Sequence, residues 1–471
     1  MVAVISQDDY RLAEPMTLRC GASSWQAIGL IEAFEGVLSW PDKAPPRPST
    51  RVRRTTALRA LVADLLRLEA KGVAGYHGMG AKDFPLPVLG FGYGVFMEVK
   101  NAMVAAGLLA FEPGYRRWSS FDNYDTGERG PLYQRGGKAA RFRLTPEALT
   151  EIEAAEIALD AWGDHWSLPE PLQATISAQA VTAPLIELRA TKQWRAGAKP
   201  KAEYLPFDMS SPAVAPILSD LRAHNEFMVT LGVSGVDFIG LRRIFNNGDV
   251  PDYAWDQGGR FYSLRVPGMG AAYESLSGDE RRQRIKIGGQ SVTEVDMSAS
   301  QLRLLYALLD EEIPAGLGAD LYQLNGAHRD AVKAIVTQAI GSQSMASKRW
   351  GSQAALEYRS EHKGRTLEAD HPFAVAQEVT RRGHPILERL GPPGVPSALG
   401  LQFIEAEVMR RAMASLRRSG IGALPVHDSL IVPVGREGDA EAALVAAFKT
   451  QVELVTGLPA RHCPSVKRKG A

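Results

Sequence analysis

The sequence predicts an α+β fold that is divided among two or three domains. The chain has 471 residues, which is more than one ordinary hydrophobic core accommodates. Its hydrophobic share of 45% and charged share of 23% are typical of soluble globular proteins. Segments whose apolar residues recur at helical spacing alternate with short β-branched runs, so both helices and strands are expected.

Composition also limits the functional classes. The 54 basic and 53 acidic residues nearly cancel, so nucleic-acid binding has to rest on local basic patches. Cys20 and Cys463 stand at opposite ends of the chain and cannot form a disulfide framework or a zinc-spaced cluster. No stretch approaches the roughly 20 apolar residues of a transmembrane helix, and the N-terminus lacks a signal-peptide pattern. The sequence therefore predicts a cytoplasmic protein without a membrane partner.

Three helices are predicted in the first part of the chain. The first covers residues 50–71, where apolar side chains recur at helical spacing and Ser49 is in position to cap the helix. The second covers residues 94–106, and Gly107 is placed to end it. The third opens at Pro146, because proline is favoured at the first helical position.

A β-hairpin is predicted between the second and third helices. Residues 108–111 and 140–144 are its strands, and a polar, glycine-rich excursion forms a long tip. The order helix, helix, hairpin in the run VAAGLLAFEPGY…GKAARFRLTPEA resembles winged helix-turn-helix domains, which bind DNA with the second helix and the hairpin. The resemblance implies a DNA-binding domain over residues 1–165, with phosphate contacts from basic side chains near the hairpin. These side chains are Arg116, Arg117, Arg135, Lys138, Arg141 and Arg143.

A basic linker is predicted over residues 166–210. Basic side chains recur between residues 189 and 201 around a Gly-Ala-Lys-Pro stretch, which is typical of a solvated linker. The segment could instead track a nucleic-acid strand. An alternative also remains for the region before it, namely a small α+β domain whose basic hairpin is simply solvated.

Two aspartates in the remaining segment, residues 211–471, stand where a side chain can face a cleft. Asp296 closes a short β-branched run and precedes an apolar helix. Asp428 follows His427 between two apolar β runs that are typical of a hairpin. Phosphoryl transfer uses two divalent ions roughly 4 Å apart, and Mg²⁺ prefers oxygen ligands such as carboxylates and phosphates. Taken singly, Asp296 also fits a helix N-cap and Asp428 a turn residue.

The residues around both aspartates resemble motifs of family A polymerases. VDMSASQLRLL is similar to motif A, which has the form Asp-x-Ser-x-x-x-Leu-Arg. VHDS is similar to motif C, in the His-Asp-Ser variant of phage-type single-subunit RNA polymerases. The resemblance implies a right-hand polymerase palm with an antiparallel sheet over residues 211–471, with its motifs at 240–435. It also implies two Mg²⁺ or Mn²⁺ ions held by Asp296, Asp428 and the backbone carbonyl of Met297.

Other residues fit the same family in the same order. Arg329 and Lys333 are four apart on a predicted helix and resemble the start of motif B, whose cations bind the incoming triphosphate. Arg260, in an Asp-x-x-Gly-Arg run, resembles the arginine that contacts nucleic acid near the active site. Gln402 resembles the glutamine before motif C, and His427 belongs to motif C itself. The resemblance implies nucleic-acid contacts for these three residues.

The chain also departs from the family pattern. Motif B usually continues with an aromatic residue and a Tyr-Gly pair, and this chain has Thr337 and Gly341 at those places. The fingers are therefore expected to be reduced. Gln301 stands where the DNA enzymes keep a glutamate against the ribose 2′-hydroxyl, which favours dNTPs. Ser429 after the motif C aspartate favours the RNA enzymes instead.

A reduced palm behind a DNA-binding domain resembles the primase-polymerases of mobile genetic elements. The resemblance implies a template-directed nucleotidyltransferase, a DNA polymerase or primase that uses a DNA template and nucleoside triphosphates to replicate a mobile element, plasmid or phage. A small accessory subunit or a helicase is a candidate partner. Two alternatives stay open: a single-subunit RNA polymerase, and a non-catalytic winged-helix replication initiator with a degenerate palm.

Overall fold

The computed structural model describes residues 5, 13–42, 46–79, 84, 90–122, 129–167, 182–192, 203–266, 269, 272–351, 354–355, 358, 362 and 365–469, without the side chains of 115–122, 129–138 and 469. The chain divides into two compact units, Met1–Val181 with Val266–Gly270 and Thr182–Arg265 with Ala271–Ala471. Helices and mainly antiparallel strands occur in both units, so the α+β class is confirmed. In the described part of the chain, no helix is both long and apolar enough to cross a membrane.

The first unit contains the three helices that the sequence predicts, with ends shifted by two residues or fewer. One start differs, since Pro48 opens the first of them and Ser49 lies inside it. The reason is that proline has the φ of the first helical turn and needs no hydrogen bond from its nitrogen. The helices of this unit are α1 (Trp25–Val37), α2 (Pro48–Glu69), α3 (Tyr93–Ala105) and α4 (Pro146–Ala154), followed by a 3₁₀ turn at Leu159–Asp164.

The strands of the first unit are β1 (Glu14–Pro15), β2 (Gly21–Ala22), β3 (Gly75–His77), β4 (Leu109–Glu112), β5 (Tyr115–Asp122), β6 (Arg129–Lys138), β7 (Ala140–Leu144) and β8 (Trp166–Ser167). The two predicted hairpin strands are present as β4 and β7, which pair antiparallel in a sheet of order β1-β3-β7-β4. The excursion between them forms a separate antiparallel pair, β5 with β6. The winged-helix arrangement itself stays a prediction.

The core of the first unit is formed around α2. Leu58, Leu61 and Leu65 are buried there and belong to one cluster with Phe96 and Phe142. Each such side chain contributes about 1.5–3 kcal/mol when it is removed from water. The middle of α2 is buried on most of its circumference, since Ala57, Leu58 and residues 60–66 are all buried, so neighbouring elements cover it on several sides.

The second unit is built on a six-stranded sheet with the order β10-β13-β14-β16-β15, in which β17 also pairs with β14. A three-stranded sheet, β12-β11-β9, accompanies it. The strands are β9 (Ile186–Leu188), β10 (Val233–Ser234), β11 (Leu241–Phe245), β12 (Gly258–Ser263), β13 (Lys286–Ile287), β14 (Gln290–Ser298), β15 (Leu424–Val426), β16 (Ser429–Pro433) and β17 (Ser465–Lys469).

The helices of the second unit are α5 (Ala215–Leu231), α6 (Gly278–Arg284), α7 (Ser300–Leu308), α8 (Arg329–Ser342), α9 (Leu367–Asp370), α10 (Phe373–Gly383), α11 (Ala398–Arg418) and α12 (Glu437–Thr456), with 3₁₀ turns at Tyr273–Ser275 and Pro385–Arg389. Residues 186–188, within the stretch expected to be a linker, form β9 because Ile186 and Leu188 are buried beside β11.

The middle strands of the large sheet position the two candidate aspartates, since Asp296 lies on β14 and Asp428 directly precedes β16. β14 runs antiparallel to both β16 and β17, so it is paired on both sides near its C-terminal end. Val295 of β14 and Leu430 of β16 are fully buried and join one core with Leu302 of α7 and Val408 of α11. Polar residues that alternate with these apolar ones therefore emerge on the opposite face of the same strands.

Candidate active site

The two aspartates lie on neighbouring strands. Asp296 is directly opposite Ser429 in the β14–β16 register, and the Ser429 hydroxyl donates to Asp296 Oδ1 at 2.7 Å. The N-cap of α7 is Ala299, with φ of 52°, so Asp296 belongs to the strand and the N-cap alternative for it is wrong. The Met297 N–H donates to the Asp428 carbonyl at 3.1 Å, which places the Met297 backbone beside the turn that carries Asp428.

The predicted hairpin turn between β15 and β16 is confirmed, and it is tight. His427 and Asp428 alone connect Val426 to Ser429, and His427 takes a φ of 55°. A residue other than glycine costs of order 1 kcal/mol or more in this left-handed region. The strained turn presents Asp428 at the end of the sheet, next to the strand that bears Asp296.

A third carboxylate, Glu405 of α11, completes the group. It is 1% exposed and accepts hydrogen bonds from the Ser300 hydroxyl and from Arg260 Nη2, both at 2.5 Å. The Ser300 hydroxyl also lies 3.1 Å from Asp428 Oδ2. Because a hydroxyl carries one proton, it donates to only one of the two carboxylates at a time. The carboxylate oxygen that does not receive this proton therefore faces a lone pair of the Ser300 hydroxyl, unless that carboxylate is protonated or binds a cation.

Sequence reasoning missed Glu405, although a signal for it existed. Leu401, Ile404 and Val408 mark the buried face of α11, and Glu405 stands on that same face. A carboxylate at a core position is rare unless a partner or a function requires it. Glu405 belongs to none of the polymerase motifs that the sequence resembles, so only its burial on an apolar helix face marks it.

Burial and neighbouring charges shift the pKa values of several groups at this site. Burial, together with the charges of Glu405 and Asp296, raises the pKa of Asp428 to about 7. Burial also raises the pKa of the Tyr322 hydroxyl, and the nearby Asp428 adds to that effect. Loss of solvent and the positive charge of Arg260 lower the pKa of His427. A raised carboxyl pKa of this kind is typical of a site that receives a cation.

The residues that the sequence predicts around the acids lie at different positions relative to them. Gln301 is close to the site, with its Nε2 3.5 Å from Glu405 Oε2. Gln402 lies three residues before Glu405 on α11, so the two side chains occupy the same side of that helix. Arg260, expected to contact nucleic acid, donates instead to Glu405 and offsets part of its charge. His427 precedes Asp428 in the turn, close enough to Arg260 and Glu405 for their charges to affect its pKa.

Arg329 and Lys333 begin the predicted fingers helix, α8. Arg329 is the first helical residue, its Nε donates to Asp320 Oδ2 at 2.6 Å, and its guanidinium lies 5.5 Å from the centre of the Tyr322 ring. Lys333 follows one turn later and is exposed. Spacing of four residues places both cations on one side of α8, as predicted.

Two of the basic residues expected to bind DNA, Arg141 and Arg143, make contacts within the first unit. Arg141 is 7% exposed, donates to the Ala139 carbonyl at 2.7 Å and lies over the Tyr76 ring. Arg143 pairs with Glu69 of α2 at 2.9 Å. These contacts disfavour phosphate binding by Arg141 and Arg143, because the contacts would have to be exchanged for it. The other four basic residues of that set have side chains outside the described part of the structure.

The donor groups fit a hard divalent cation. Asp296, Asp428 and the Met297 carbonyl offer oxygen ligands, which Mg²⁺ and Mn²⁺ prefer, and the excess negative charge would be offset by such ions. Among the residues that the structure describes, no group of three or more His, Cys, Asp or Glu side chains is arranged to hold a metal by itself. Phosphate oxygens of a substrate would therefore have to complete the coordination.

Comparison with known proteins adds three findings. No family model matches the chain, and no curated protein matches it. Among solved structures, the chain is similar to the POL domain of Pol1 from M. smegmatis in complex with a DNA primer-template and dNTP, with a TM-score of 0.25 and 14% sequence identity. The similarity covers 45% of this chain and 45% of that chain, so the chain spans less than half the length of that structure.

Proposed function

We infer that the protein is a template-directed nucleotidyltransferase whose two-metal site is held by Asp296 and Asp428. One observation supports this most strongly. Two aspartates far apart in the sequence come together at neighbouring strands next to a third carboxylate, and burial together with the charges of Glu405 and Asp296 raises the pKa of Asp428 to about 7. A site that keeps such unfavourable charge is suited to divalent ions and triphosphate rather than to a purely structural role.

The chain's own residues divide the work in this proposal. Two bound divalent ions would activate the attacking 3′-hydroxyl and stabilise the leaving oxygen. Asp296 and Asp428, with the Met297 carbonyl, would hold these ions at the end of the sheet. Glu405 is a positioning residue, because it orients Arg260 and the Ser300 hydroxyl by direct hydrogen bonds.

Substrate binding is proposed from the residues around the acids. Arg329 and Lys333 would bind the triphosphate from α8. Gln301 would face the sugar, and its bulk would disfavour a 2′-hydroxyl. Arg260, Gln402 and His427 would lie along the template or primer, with Arg260 exchanging part of its contact to Glu405 for a phosphate.

The biological setting belongs to the same proposal and rests on the sequence resemblance alone. The substrates would be a DNA template and nucleoside triphosphates, and the winged-helix region would supply the hold on duplex DNA. Replication of a mobile element, plasmid or phage in the cytoplasm is the proposed role. A small accessory subunit or a helicase would compensate for reduced fingers.

The test is nucleotide incorporation by the purified full-length protein on single-stranded DNA, with and without a primer. Mg²⁺ and Mn²⁺ are compared, each with dNTPs or NTPs, and Asp296→Ala is the control for contaminating polymerases. We expect incorporation that requires a divalent ion and is lost in that variant. Duplex DNA binding without any incorporation, under either metal and with either nucleotide pool, would instead support the non-catalytic initiator.

A further inference from the structure

A carboxylate in the loop before α8 binds two cations at once. Asp320 Oδ2 accepts hydrogen bonds from Arg329 Nε at 2.6 Å and from Lys467 Nζ at 3.1 Å. Its other oxygen accepts from the Tyr322 N–H at 3.1 Å. The two cations come from distant parts of the sequence, since Arg329 begins α8 and Lys467 lies in β17 near the C-terminus.

The β17 strand brings Lys467 to the proposed metal site. Lys467 is directly opposite Asp296 in the β14–β17 register, and Ser429 is opposite Asp296 on the other side. Opposite residues of antiparallel strands share one face, with their Cβ atoms about 4.5–5.5 Å apart. Lys467, Asp296 and Ser429 thus form a row across one face of the sheet. The next residue, Arg468, points to the other face and pairs with Glu441 at 2.9 Å.

The Asp320 loop is anchored, whereas its two cations keep contact with solvent. Arg303 of α7, which is 5% exposed, donates to the Ala319 carbonyl at 2.5 Å and also to the end of β14, so it ties the loop to the catalytic strand. The side chains of Arg329 and Lys467 are 36% and 42% exposed. The cations can therefore turn towards another anion while Asp320 stays in place.

We propose that Lys467 binds the phosphates of the incoming nucleoside triphosphate, and that Asp320 holds Lys467 and Arg329 until the triphosphate replaces it. The inference rests on the proposed nucleotidyl-transfer function. Carboxylate and phosphate oxygens accept the same charge-assisted hydrogen bonds from lysine and arginine, and a triphosphate offers more of them. A triphosphate bound at Asp296 would lie between Lys467 on the sheet and Arg329 with Lys333 on α8. The dipole of that helix also favours an anion at its start.

The test compares four variants of the full-length protein by titration with Mg²⁺-tripolyphosphate and with a dNTP, and by KM and kcat of incorporation. Lys467→Gln removes the charge, and Lys467→Arg restores it. Arg468→Gln is the matched control on the other face of β17. Asp320→Asn removes the competing charge and keeps an oxygen for the Tyr322 N–H. Thermal unfolding of each variant shows whether it is folded.

Lys467→Gln is expected to weaken tripolyphosphate and dNTP binding about tenfold, and to raise KM with little change in kcat, because one charge-assisted hydrogen bond is lost. Lys467→Arg should recover most of the affinity, and Arg468→Gln should match wild type. Asp320→Asn should tighten binding by a few-fold, since both cations are released. Opposite effects of the two substitutions distinguish phosphate binding from a structural ion pair, whose removal from either side would act in the same direction.

Two outcomes separate this inference from the proposed function. Wild-type protein that never incorporates nucleotide overturns the proposed function, while the tripolyphosphate titration still decides the role of Lys467. Wild-type protein that does incorporate nucleotide, but whose Lys467→Gln variant binds triphosphate as well as Arg468→Gln does, overturns the inference alone. Weaker binding in Asp320→Asn would equally overturn it.

Discussion

Two glutamates on α11, Glu405 and Glu407, lie two residues apart in opposite electrostatic surroundings. Burial disfavours the charge of Glu407, but Arg243 and Arg410, which both donate to it at 2.8 Å, outweigh burial and lower its pKa. Glu405 has one arginine, Arg260, and shares the Ser300 hydroxyl with Asp428. Neighbouring charges lower the pKa of the carboxyl in the first cluster, whereas burial and neighbouring charges raise the pKa of Asp428 in the second.

The difference indicates that the charges around Glu407 stabilise the fold, whereas those around Glu405 serve the proposed chemistry. The Glu407 cluster extends through Arg410 to Asp220, which Arg417 also contacts at 2.8 Å, so acids and bases alternate. Arg243 is fully buried within it and lies over two aromatic rings. In the Glu405 cluster, by contrast, the carboxyl pKa of Asp428 is raised.

The largest effect is expected from Asp296→Asn and Asp428→Asn. Each should reduce nucleotide incorporation on the order of 10³-fold, equivalent to about 4 kcal/mol of transition-state stabilisation. Without divalent ions, Asp428→Asn should also raise the unfolding temperature by about 2 °C at pH 8, because it removes a repelled charge. Asp439→Asn, an exposed acid of α12, is the control in both assays. Unimpaired incorporation by either variant would contradict the proposed site.

Glu407→Gln should show the opposite pattern. It leaves the fully buried Arg243 without its charged partner, which typically costs about 3–5 kcal/mol of unfolding free energy. Activity per folded molecule should stay close to wild type, because Glu407 lies outside the acidic cluster. Urea unfolding and incorporation measured well below the unfolding temperature check this, with the exposed Glu453→Gln as control. A stable but inactive variant would show that the distinction between the clusters is wrong.

Glu405→Gln should lower incorporation about 10- to 100-fold, because Arg260 and Ser300 lose the carboxylate that orients them. It should also move the acid limb of the pH–rate profile to lower pH, since one of the charges that raise the pKa of Asp428 is removed. A loss of rate with an unshifted limb would mean that Glu405 acts by orienting Arg260 and Ser300 and not through the pKa of Asp428.

The pH dependence of the wild-type protein follows from the same carboxyl. Without metal, Asp428 has a folded-state pKa of about 7 against an ordinary value of 3.8, so protons compete with divalent ions and the metal concentration needed for half-maximal incorporation should rise as pH falls below 7. The effect of pH on stability has the opposite sign, because protonation of Asp428 favours the folded state. The folded protein binds the proton more tightly than the unfolded chain, so this contribution is complete below pH 3.8 and is lost as pH rises through 7. Thermal unfolding without divalent ions, between pH 4 and 8, measures it against Asp428→Asn.

The smallest effect is expected for Gln301→Gly. Its amide lies 3.5 Å from Glu405, at the edge of the acidic cluster, so shortening it should leave the metal chemistry in place. If Gln301 faces the sugar, the ratio of NTP to dNTP incorporation should rise a few-fold in assays with matched pools. An unchanged ratio would assign sugar selection to another residue.

The sequence predicted helices and strands well where apolar residues recur at regular spacing. The spacing of the α2 leucines and the apolar runs around His427-Asp428 are visible within short stretches of sequence. The helix, the strands and the turn that they predict are all present. The start of α2 was misplaced because both Pro48 and Ser49 are compatible with a helix N-terminus, and local preference alone does not choose between them. The winged-helix arrangement stays a prediction, because the order of elements does not specify how they pack.

By itself the sequence determined that two aspartates stand at the ends of β segments in a chain of α+β class. The reason is that periodicity and turn preference depend on residues that are close together in the sequence. Only the tertiary structure decided that Glu405 joins them and that Lys467 of β17 lies opposite Asp296. The physical reason is that a charge acquires its role from neighbours in space. Glu405 and Glu407 are the same residue type on one helix, and only the groups packed against them distinguish them.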